Sequence, residues 1–311
     1  MEHRNLGRSG LSVSVVGIGC NNFGRRCDPE ATAKVVNQAL DMGINLFDTA
    51  DVYGPLGLSE EYLGKALGGR RQDIVLASKF AMKMGDGKQG ASRRYIMSAV
   101  EASLRRLGTD YIDLYQVHAP DPRTPIDETL RALDDLVTQG KVRYIGHSNF
   151  AGWQTAEAHF VAQREHLAPF ISAQNEYSLL NRSVEAELVP ACNAYGLGLL
   201  PYFPLASGFL TGKYRRGEPI PEGTRMALMG PMASRTMTDR NWDMLEKLEA
   251  FATARGHSML ELAIGWLASQ KHVASVIAGA TRPEQVEANA KAGDWKLTAE
   301  EMAEVDTITK S

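Results

Sequence analysis

The stretch GINLFDTADVYG, residues 43–54, decides how the rest of the chain is interpreted. Its apolar first half predicts a β-strand that ends at Asp48, and a short loop that carries Tyr53 follows. In parallel α/β barrels the catalytic groups come from the C-terminal ends of strands, so Asp48 and Tyr53 are candidate functional residues. A carboxylate after a strand equally caps a helix or stabilises a turn, so the interpretation requires partners elsewhere in the chain.

Short β-branched or apolar runs recur on both sides of this stretch, bounded by Gly, Pro or Asp. The predicted strands are residues 13–18, 45–47, 74–78, 111–117, 142–146, 171–174, 197–201 and 276–278. The segments between them carry apolar residues at helical spacing, as at Ala33, Val36 and Leu40. Strand and helix therefore alternate about eight times, which predicts an α/β protein with a single (β/α)8 TIM barrel over residues 1–311.

Two additions to the barrel and one irregular segment are also predicted. The residues before the first strand form an N-terminal extension, and residues 298–308 form an extra C-terminal helix, because Thr298 and Glu301 have capping-box spacing. Residues 213–239 are rich in Gly, Pro, Arg and Met without strand or helix periodicity. We interpret them as a mobile lid, with a surface insertion of no consequence as an equally weighted alternative.

The composition excludes several classes of function. The 311 residues are 44% hydrophobic and carry a formal net charge of -3 without a long like-charged block, so no nucleic-acid or acidic-membrane footprint is present. The widely spaced Cys20, Cys27 and Cys192 give neither a disulfide framework nor a metal-binding pattern, which favours reduced thiols in the cytoplasm. No signal peptide and no run of about 18 apolar residues is present, so neither export nor membrane insertion is expected.

Two further strands end in residues that complete a site with Asp48 and Tyr53. Lys79 and His118 each follow an apolar run, so both are expected at the barrel mouth. A buried lysine requires a nearby anion, which Asp48 supplies, and its ammonium is predicted to lower the pKa of Tyr53. The imidazole of His118 is suited to orient a substrate oxygen, although a structural histidine is as common as a catalytic one.

The segment GINLFDTADVYGPLGLSEEYLG, residues 43–64, resembles the aldo-keto reductases, in particular the branch that includes potassium-channel β subunits. The resemblance covers nearly the whole chain, and the Asp, the Tyr-Gly pair and the S-E-x-x-L-G that follows all fall at the spacing of the family. It implies that Asp48, Tyr53, Lys79 and His118 form a catalytic tetrad. It also implies carbonyl reduction, in which Tyr53 protonates the oxygen as hydride arrives from a nicotinamide.

Polar residues at the ends of other predicted strands suit a nicotinamide nucleotide. The hydroxyl of Ser148 and the side-chain amides of Asn149 and Gln174 are able to pair with a carboxamide, although Ser and Asn after a strand commonly form turns. The ring of Tyr202 is placed to stack on the nicotinamide. The resemblance extends the predicted cofactor contacts to Gly19, Cys20, Asn21, Pro204, Leu205, Ser207, Gly208, Leu210, Lys213, Arg225, Gly279, Thr281, Gln285 and Asn289.

The predicted preference for NADPH over NADH depends on Arg282. This residue precedes a helix that begins near Pro283, and a guanidinium there is shaped for a 2'-phosphate. The chain departs from much of the family at Ala288, where Glu is frequent, and at Gly279, where Lys is frequent. Arg225 is assigned to a phosphate, with a solvated surface arginine as the alternative.

Three other functions compete with a carbonyl reductase. A Rossmann dehydrogenase is disfavoured because the glycines after the first strand are spaced G-x-G-x-x-x-x-G, residues 17–24, and the acid comes too late. A Schiff-base lyase would use a desolvated Lys79 as its nucleophile, which leaves Tyr202 and Gln174 without an obvious purpose. A nucleotide-sensing barrel requires binding without turnover. The predicted partner is a small carbonyl substrate in an apolar pocket that includes Phe23 and Phe80, and no residue pattern specifies an oligomeric state.

Overall fold

The main sheet is built from parallel strands that follow one another in chain order. The computed structural model describes residues 1–310. The strands are β1 His3–Asn5, β2 Ser12–Ser14, β3 Val16–Gly19, β4 Leu46–Asp48, β5 Val75–Phe80, β6 Ile112–Val117, β7 Val142–Ser148, β8 Phe170–Gln174, β9 Gly198–Leu199 and β10 Val276–Gly279. The eight-stranded sheet has the order β10-β3-β4-β5-β6-β7-β8-β9.

Backbone hydrogen bonds join the two ends of this sheet. The Ile277 amide donates to the Pro201 carbonyl at 2.9 Å, and the Ala274 amide donates to the Leu199 carbonyl at 2.9 Å. On the other side, β10 pairs in parallel with β3. The sheet therefore curls back on itself with the helices around it, and the predicted (β/α)8 barrel is confirmed.

Helices follow the strands in the alternation that the sequence predicts. They are α1 Pro29–Asp41, α2 Leu58–Leu67, α3 Arg93–Leu107, α4 Ile126–Thr138, α5 Gly152–Glu165, α6 Leu188–Tyr195, α7 Arg225–Met229, α8 Asp239–Thr253, α9 Met259–Ser269, α10 Pro283–Ala292 and α11 Ala299–Thr309. The predicted C-terminal helix is present as α11, and Thr298 and Glu301 form its capping box. Within residues 1–310, no helix combines the length and the apolar character needed to cross a membrane.

The N-terminal extension is a hairpin that covers one end of the barrel. Strands β1 and β2 pair antiparallel, and Leu6 and Val13 are fully buried against inward residues of the barrel strands, such as Leu46 and Leu114. The prediction of one continuous strand over residues 13–18 is wrong. The chain leaves the hairpin at Val15, and the buried run on both sides gives no sign of this break in the sequence.

The predicted lid contains regular structure. Helix α7 begins after Thr224, whose side chain accepts a hydrogen bond from the Ala227 amide, and a 3-10 turn covers Gly230–Arg235. Met226 and Ala233 are buried in the main core. The prediction that residues 213–239 lack helical structure is therefore wrong, because two buried side chains and one N-cap stabilise short turns that have no periodic pattern. The mobility of this segment stays a prediction.

Candidate active site

The four residues of the predicted tetrad converge at one rim of the barrel. Asp48 ends β4, and Lys79 lies near the end of β5, the next strand in the sheet. His118 follows β6, and its amide donates to the Phe80 carbonyl at 2.8 Å. Tyr53 lies in the turn between β4 and α2. Because the strands are parallel, their C-terminal ends meet at the same rim and bring these side chains together.

Short polar contacts connect the four side chains in series. The ammonium of Lys79 donates to Asp48 Oδ2 at 2.6 Å and to the Thr49 carbonyl at 3.0 Å. It also lies 3.5 Å from the Tyr53 hydroxyl, which in turn lies 3.5 Å from His118 Nε2. The tyrosine hydroxyl therefore has a cation on one side and an imidazole on the other.

Two glutamines hold the second oxygen of the Asp48 carboxylate. Gln174 Nε2 donates to Asp48 Oδ1 at 2.9 Å, and Gln116 Nε2 donates to the same atom at 3.1 Å. Sequence reasoning missed Gln116, although a polar residue inside the apolar run of β6 was an available signal. The predicted carboxamide contact of Gln174 is thereby limited to its remaining amide oxygen, because its nitrogen is occupied by Asp48.

The protonation states of the site follow from burial and from the Asp48–Lys79 pair. Burial acts to lower the pKa of Lys79, but the Asp48 carboxylate outweighs it, so this pKa is raised and the amine stays charged. Burial raises the pKa of Tyr53, and the Lys79 ammonium opposes that rise without cancelling it. The prediction that Lys79 lowers this pKa below its ordinary value is therefore wrong. Burial, with Lys79, lowers the pKa of His118 to about 3, so its ring is neutral at neutral pH.

The polar residues predicted to pair with a carboxamide form a connected cluster beside the tetrad. Ser148 Oγ donates to the Gln174 carbonyl at 2.7 Å, and Asn149 Nδ2 donates to the His118 carbonyl at 3.0 Å. The Tyr202 hydroxyl donates to Asn149 Oδ1 at 2.8 Å. Asn149 has a φ of 62°, and such left-handed backbone in a residue other than glycine is concentrated at functional sites.

A cavity of about 950 Å³ opens at this rim and extends to the start of α10. Asp48, Tyr53 and His118 line it, while Lys79 lies fully buried behind them. The predicted cofactor residues that line this cavity are Gly19, Asn21, Ser148, Asn149, Gln174, Tyr202, Pro204, Leu205, Ser207, Gly208, Lys213, Arg225, Gly279, Thr281, Arg282, Gln285 and Asn289. Its volume is in the range of pockets that bind large organic cofactors.

Four residues predicted near a ligand lie instead in the hydrophobic core. Cys20, Leu210, Phe23 and Phe80 are fully buried there and do not line the cavity. The predicted cofactor contacts of Cys20 and Leu210 therefore receive no support from the positions of these two side chains. The prediction that Phe23 and Phe80 form the substrate pocket is wrong, because apolar residues next to a functional loop pack into the core as readily as they line a pocket.

Sequence reasoning also missed several residues of the cavity wall. Arg26 is one of them, and its guanidinium donates to the Gly223 carbonyl at 3.2 Å, which links the loop after β3 to the segment before α7. Phe203 is another, and its ring lies 4.7 Å from the guanidinium carbon of Arg225. The other missed residues are Asn22, Thr211, Glu222, Gly223, Thr224, Leu260, Ile277 and Glu284.

The far end of the cavity carries a cation and an unused hydrogen-bond donor. Arg282 is exposed at the N-cap of α10, and no carboxylate within residues 1–310 pairs with it. Asn289 Nδ2 is buried and has no hydrogen-bond partner in the described part of the chain. In the loop between them and the tetrad, Ser207 and Gly208 have φ values of 60° and 92°. A helix N-terminus, an unpaired cation and an unused donor together suit an anionic ligand such as a phosphate group.

The fold and this site together are typical of barrel oxidoreductases. The chain belongs to the aldo/keto reductase family, whose family model matches residues 15–310. It is 40% identical to a probable voltage-gated potassium channel subunit beta of Oryza sativa subsp. japonica, over 100% of this chain and 97% of the relative. An uncharacterized oxidoreductase of Bacillus subtilis is 37% identical over 96% of this chain and 93% of its own length. An L-glyceraldehyde 3-phosphate reductase of Escherichia coli (strain K12) is 34% identical over 98% and 92%.

Proposed function

We propose that this oxidoreductase reduces an aldehyde or ketone to an alcohol, with NADPH as hydride donor and Tyr53 as proton donor. One observation carries the proposal. The Tyr53 hydroxyl lies on the cavity wall, 3.5 Å from the Lys79 ammonium and 3.5 Å from His118 Nε2. A carbonyl oxygen next to this hydroxyl has two polar groups within reach, the Tyr53 hydroxyl as an acid and the ring nitrogen of His118.

The residues of the tetrad have separate tasks in this proposal. When bound in this cavity, a reduced nicotinamide would supply the hydride that the carbonyl carbon receives. Tyr53 gives its proton to the carbonyl oxygen, and the phenolate that remains is stabilised by the Lys79 ammonium. Asp48 keeps Lys79 charged through the 2.6 Å ion pair. His118, neutral because burial lowers its pKa to about 3, orients the oxygen without competing as an acid.

The remaining polar residues of the cavity hold the nucleotide. Ser148 and Asn149 would pair with the carboxamide, and the ring of Tyr202 would cover one face of the nicotinamide. The loop Ala206–Thr211 and Lys213 would hold the pyrophosphate. Arg282 would bind the 2'-phosphate, which favours NADPH over NADH. We further propose that residues 213–239 move over the nucleotide, with the Arg26–Gly223 contact as one closing interaction.

The charge on the cavity wall indicates which class of carbonyl compound is the substrate. Arg26 lines the cavity and is not among the predicted nucleotide contacts, and this cation favours a carbonyl compound with an anionic group. The Escherichia coli relative named as an L-glyceraldehyde 3-phosphate reductase makes a phosphorylated aldehyde a suitable member of any test panel. We also propose a reducing, cytoplasmic environment, since Cys20, Cys27 and Cys192 are free, buried thiols.

A Schiff-base lyase is the weaker alternative. It requires Lys79 as a neutral nucleophile that reaches the substrate, but its raised pKa keeps the amine protonated, and its side chain is fully buried behind the cavity wall. A nucleotide-sensing regulatory subunit is the stronger alternative, because relatives named as probable potassium channel β subunits are 40% identical to this chain.

A steady-state assay separates the reductase from the regulatory subunit. Purified protein is mixed with NADPH or NADH and a panel of aliphatic, aromatic and phosphorylated aldehydes and ketones, and the absorbance at 340 nm is followed. We expect NADPH oxidation with at least one aldehyde, and slower turnover with NADH. Tight NADPH binding without turnover on the whole panel would instead favour the regulatory subunit.

A further inference from the structure

A second group of ionisable side chains lies directly behind the turn that carries Tyr53. Asp51, in that turn, and Glu60, in α2, are 1% and 0% exposed. Arg106 of α3 is the cation that acts on both carboxylates. The phenols of Tyr95 in α3 and Tyr115 in β6 complete the group. We call these five residues the buried acid cluster, and it lies outside the cavity of the proposed active site.

Within the buried acid cluster, Glu60 takes the strong hydrogen bonds. Arg106 Nε donates to Glu60 Oε2 at 2.7 Å, and Ser78 Oγ donates to Glu60 Oε1 at 2.5 Å. Asp51 Oδ2 accepts the long hydrogen bond of Tyr95, at 3.4 Å, the Val52 backbone amide acts weakly on the same carboxyl group, and within residues 1–310 its Oδ1 has no side-chain partner. The Tyr115 hydroxyl is likewise buried without a partner there. Because the Arg106 guanidinium is paired with Glu60, burial of a second carboxylate beside them favours the protonated form of that second group.

Asp51 is the carboxyl group that retains this proton. Burial and the neighbouring Glu60 raise the pKa of Asp51 to about 7, while Arg106 and the Tyr95 hydrogen bond act in the opposite direction. Burial raises the pKa values of Tyr95 and Tyr115 further above their ordinary range, so both phenols stay neutral. Asp51 is thus the member of the cluster whose charge changes near neutral pH.

The backbone of the turn connects Asp51 directly to the tetrad. The Asp51 amide donates to the Lys79 carbonyl at 3.0 Å, and the Tyr53 amide donates to the Ala50 carbonyl at 3.1 Å. The Tyr53 carbonyl in turn accepts from the Ser59 amide at 3.1 Å. Asp51 and Tyr53 therefore lie in one short turn that is hydrogen-bonded to the backbone of Lys79 at one end and to that of Ser59 at the other.

We propose that Asp51 is a positioning residue for Tyr53: its protonated carboxyl group keeps the turn in place, and its ionisation displaces the Tyr53 hydroxyl from Lys79 and His118. The functional consequence rests on the proposed role of Tyr53 as proton donor. Ionisation of Asp51 is expected to disrupt the turn because of the charge that it adds. Loss of the proton adds a second buried negative charge beside Glu60, for which no second cation is available within the cluster.

The proposal predicts a fall in turnover through neutral pH. If only the protonated form of Asp51 positions Tyr53, the active fraction falls about tenfold between pH 6 and pH 8 for a midpoint near 7. Asp51→Asn resembles the protonated form and removes this fall. Tyr95→Phe removes a hydrogen bond that stabilises the carboxylate, so it moves the midpoint to higher pH.

The experiment measures the position of Tyr53 independently of turnover. Protein with 13Cζ-labelled tyrosine is titrated by NMR from pH 5.5 to 8.5, and the Tyr53 signal is assigned with Tyr53→Phe. The kcat profile is recorded over the same range. Asp113→Asn is the control, because it removes a carboxylate of the barrel wall that is partly buried and paired with Arg71 at 2.8 Å, outside the buried acid cluster.

We expect the Tyr53 signal and kcat of the wild type and of Asp113→Asn to change with a common midpoint near 7. Both changes disappear in Asp51→Asn and shift upward in Tyr95→Phe. A Tyr53 signal that titrates identically in wild type and Asp51→Asn would overturn the proposal. If no carbonyl compound is turned over, the reductase assignment fails, and the NMR titration still decides whether Asp51 positions Tyr53.

Discussion

Removal of the Lys79 amine should destabilise the fold because it leaves the Asp48 carboxylate buried without its counter-ion. The two side chains are 0% and 3% exposed, and their ion pair measures 2.6 Å. Breaking one partner of such a pair costs about 3–5 kcal/mol. In Lys79→Met the amide donors of Gln116 and Gln174 still hold Asp48 Oδ1. We therefore expect a loss at the lower end, about 3 kcal/mol, which lowers Tm by roughly 5 °C for a chain of 311 residues.

A second substitution separates the uncompensated charge from the lost packing. Asp48→Asn in the Lys79→Met background removes the buried charge, so the double variant should regain about 2 kcal/mol relative to Lys79→Met. Lys247→Met, on the exposed face of α8, is the control and should change stability by less than about 0.5 kcal/mol. Urea unfolding followed by circular dichroism and by fluorescence gives the free energies, provided that the two transitions coincide. A double variant less stable than Lys79→Met would refute the reasoning.

Two further predictions concern the nucleotide and acid stability. Arg282→Ala should weaken NADPH binding about 10–100-fold and NADH binding only slightly, because only NADPH carries the 2'-phosphate. Calorimetry measures both affinities, and Arg105→Ala, at an exposed position, is the control. Equal losses for the two nucleotides would place the 2'-phosphate elsewhere. Burial lowers the pKa values of His118 and His147 to about 3, so the folded protein keeps both rings neutral while the unfolded chain binds protons below about pH 6.5. The free energy of unfolding should therefore fall from pH 6.5 towards pH 3, by about 2 kcal/mol per histidine at pH 5. In His147→Gln the free energy of unfolding, measured by urea unfolding at each pH, should fall less steeply over this range. An unchanged profile would exclude His147 from acid unfolding.

The barrel was predictable because its signals are repeated. Each strand run is short, apolar and followed by a helical pattern, so a shift of one or two residues at a boundary does not change the architecture. The break at Val15 was not predictable, since the hairpin strand and the first barrel strand are both buried and form one apolar run. The helix α7 was also missed, because five residues are too few for a periodic pattern.

The candidate site was predictable where a polar residue ends an apolar run. Asp48, Lys79 and His118 satisfy that rule, and the rim of a parallel barrel brings such positions together. Gln116 lies within a strand rather than at its end, so the rule did not select it. The pKa of Tyr53 was predicted in the wrong direction because burial, the largest influence on it, cannot be read from the sequence.

Cavity residues in loops were the hardest to predict. Arg26 reaches the cavity from the loop after β3, and Phe203 has a φ of 54° that no sequence pattern indicates. Phe23 and Phe80 show the opposite error, since aromatic residues near a functional loop were expected in the pocket and lie in the core. Exposure in loops depends on how several segments pack together, which one stretch of sequence does not determine.

The proton donor is tested most directly by single-turnover hydride transfer in Tyr53→Phe. Stopped-flow absorbance at 340 nm measures the rate with saturating NADPH and an aldehyde substrate, and NADPH binding is measured separately by fluorescence titration. Tyr62→Phe, in α2, is the matched control and should behave as wild type. The Tyr53 variant should bind NADPH within about threefold of wild type and transfer hydride about 10²–10⁴-fold more slowly. A transfer rate within tenfold of wild type would contradict the assignment of Tyr53 as the acid.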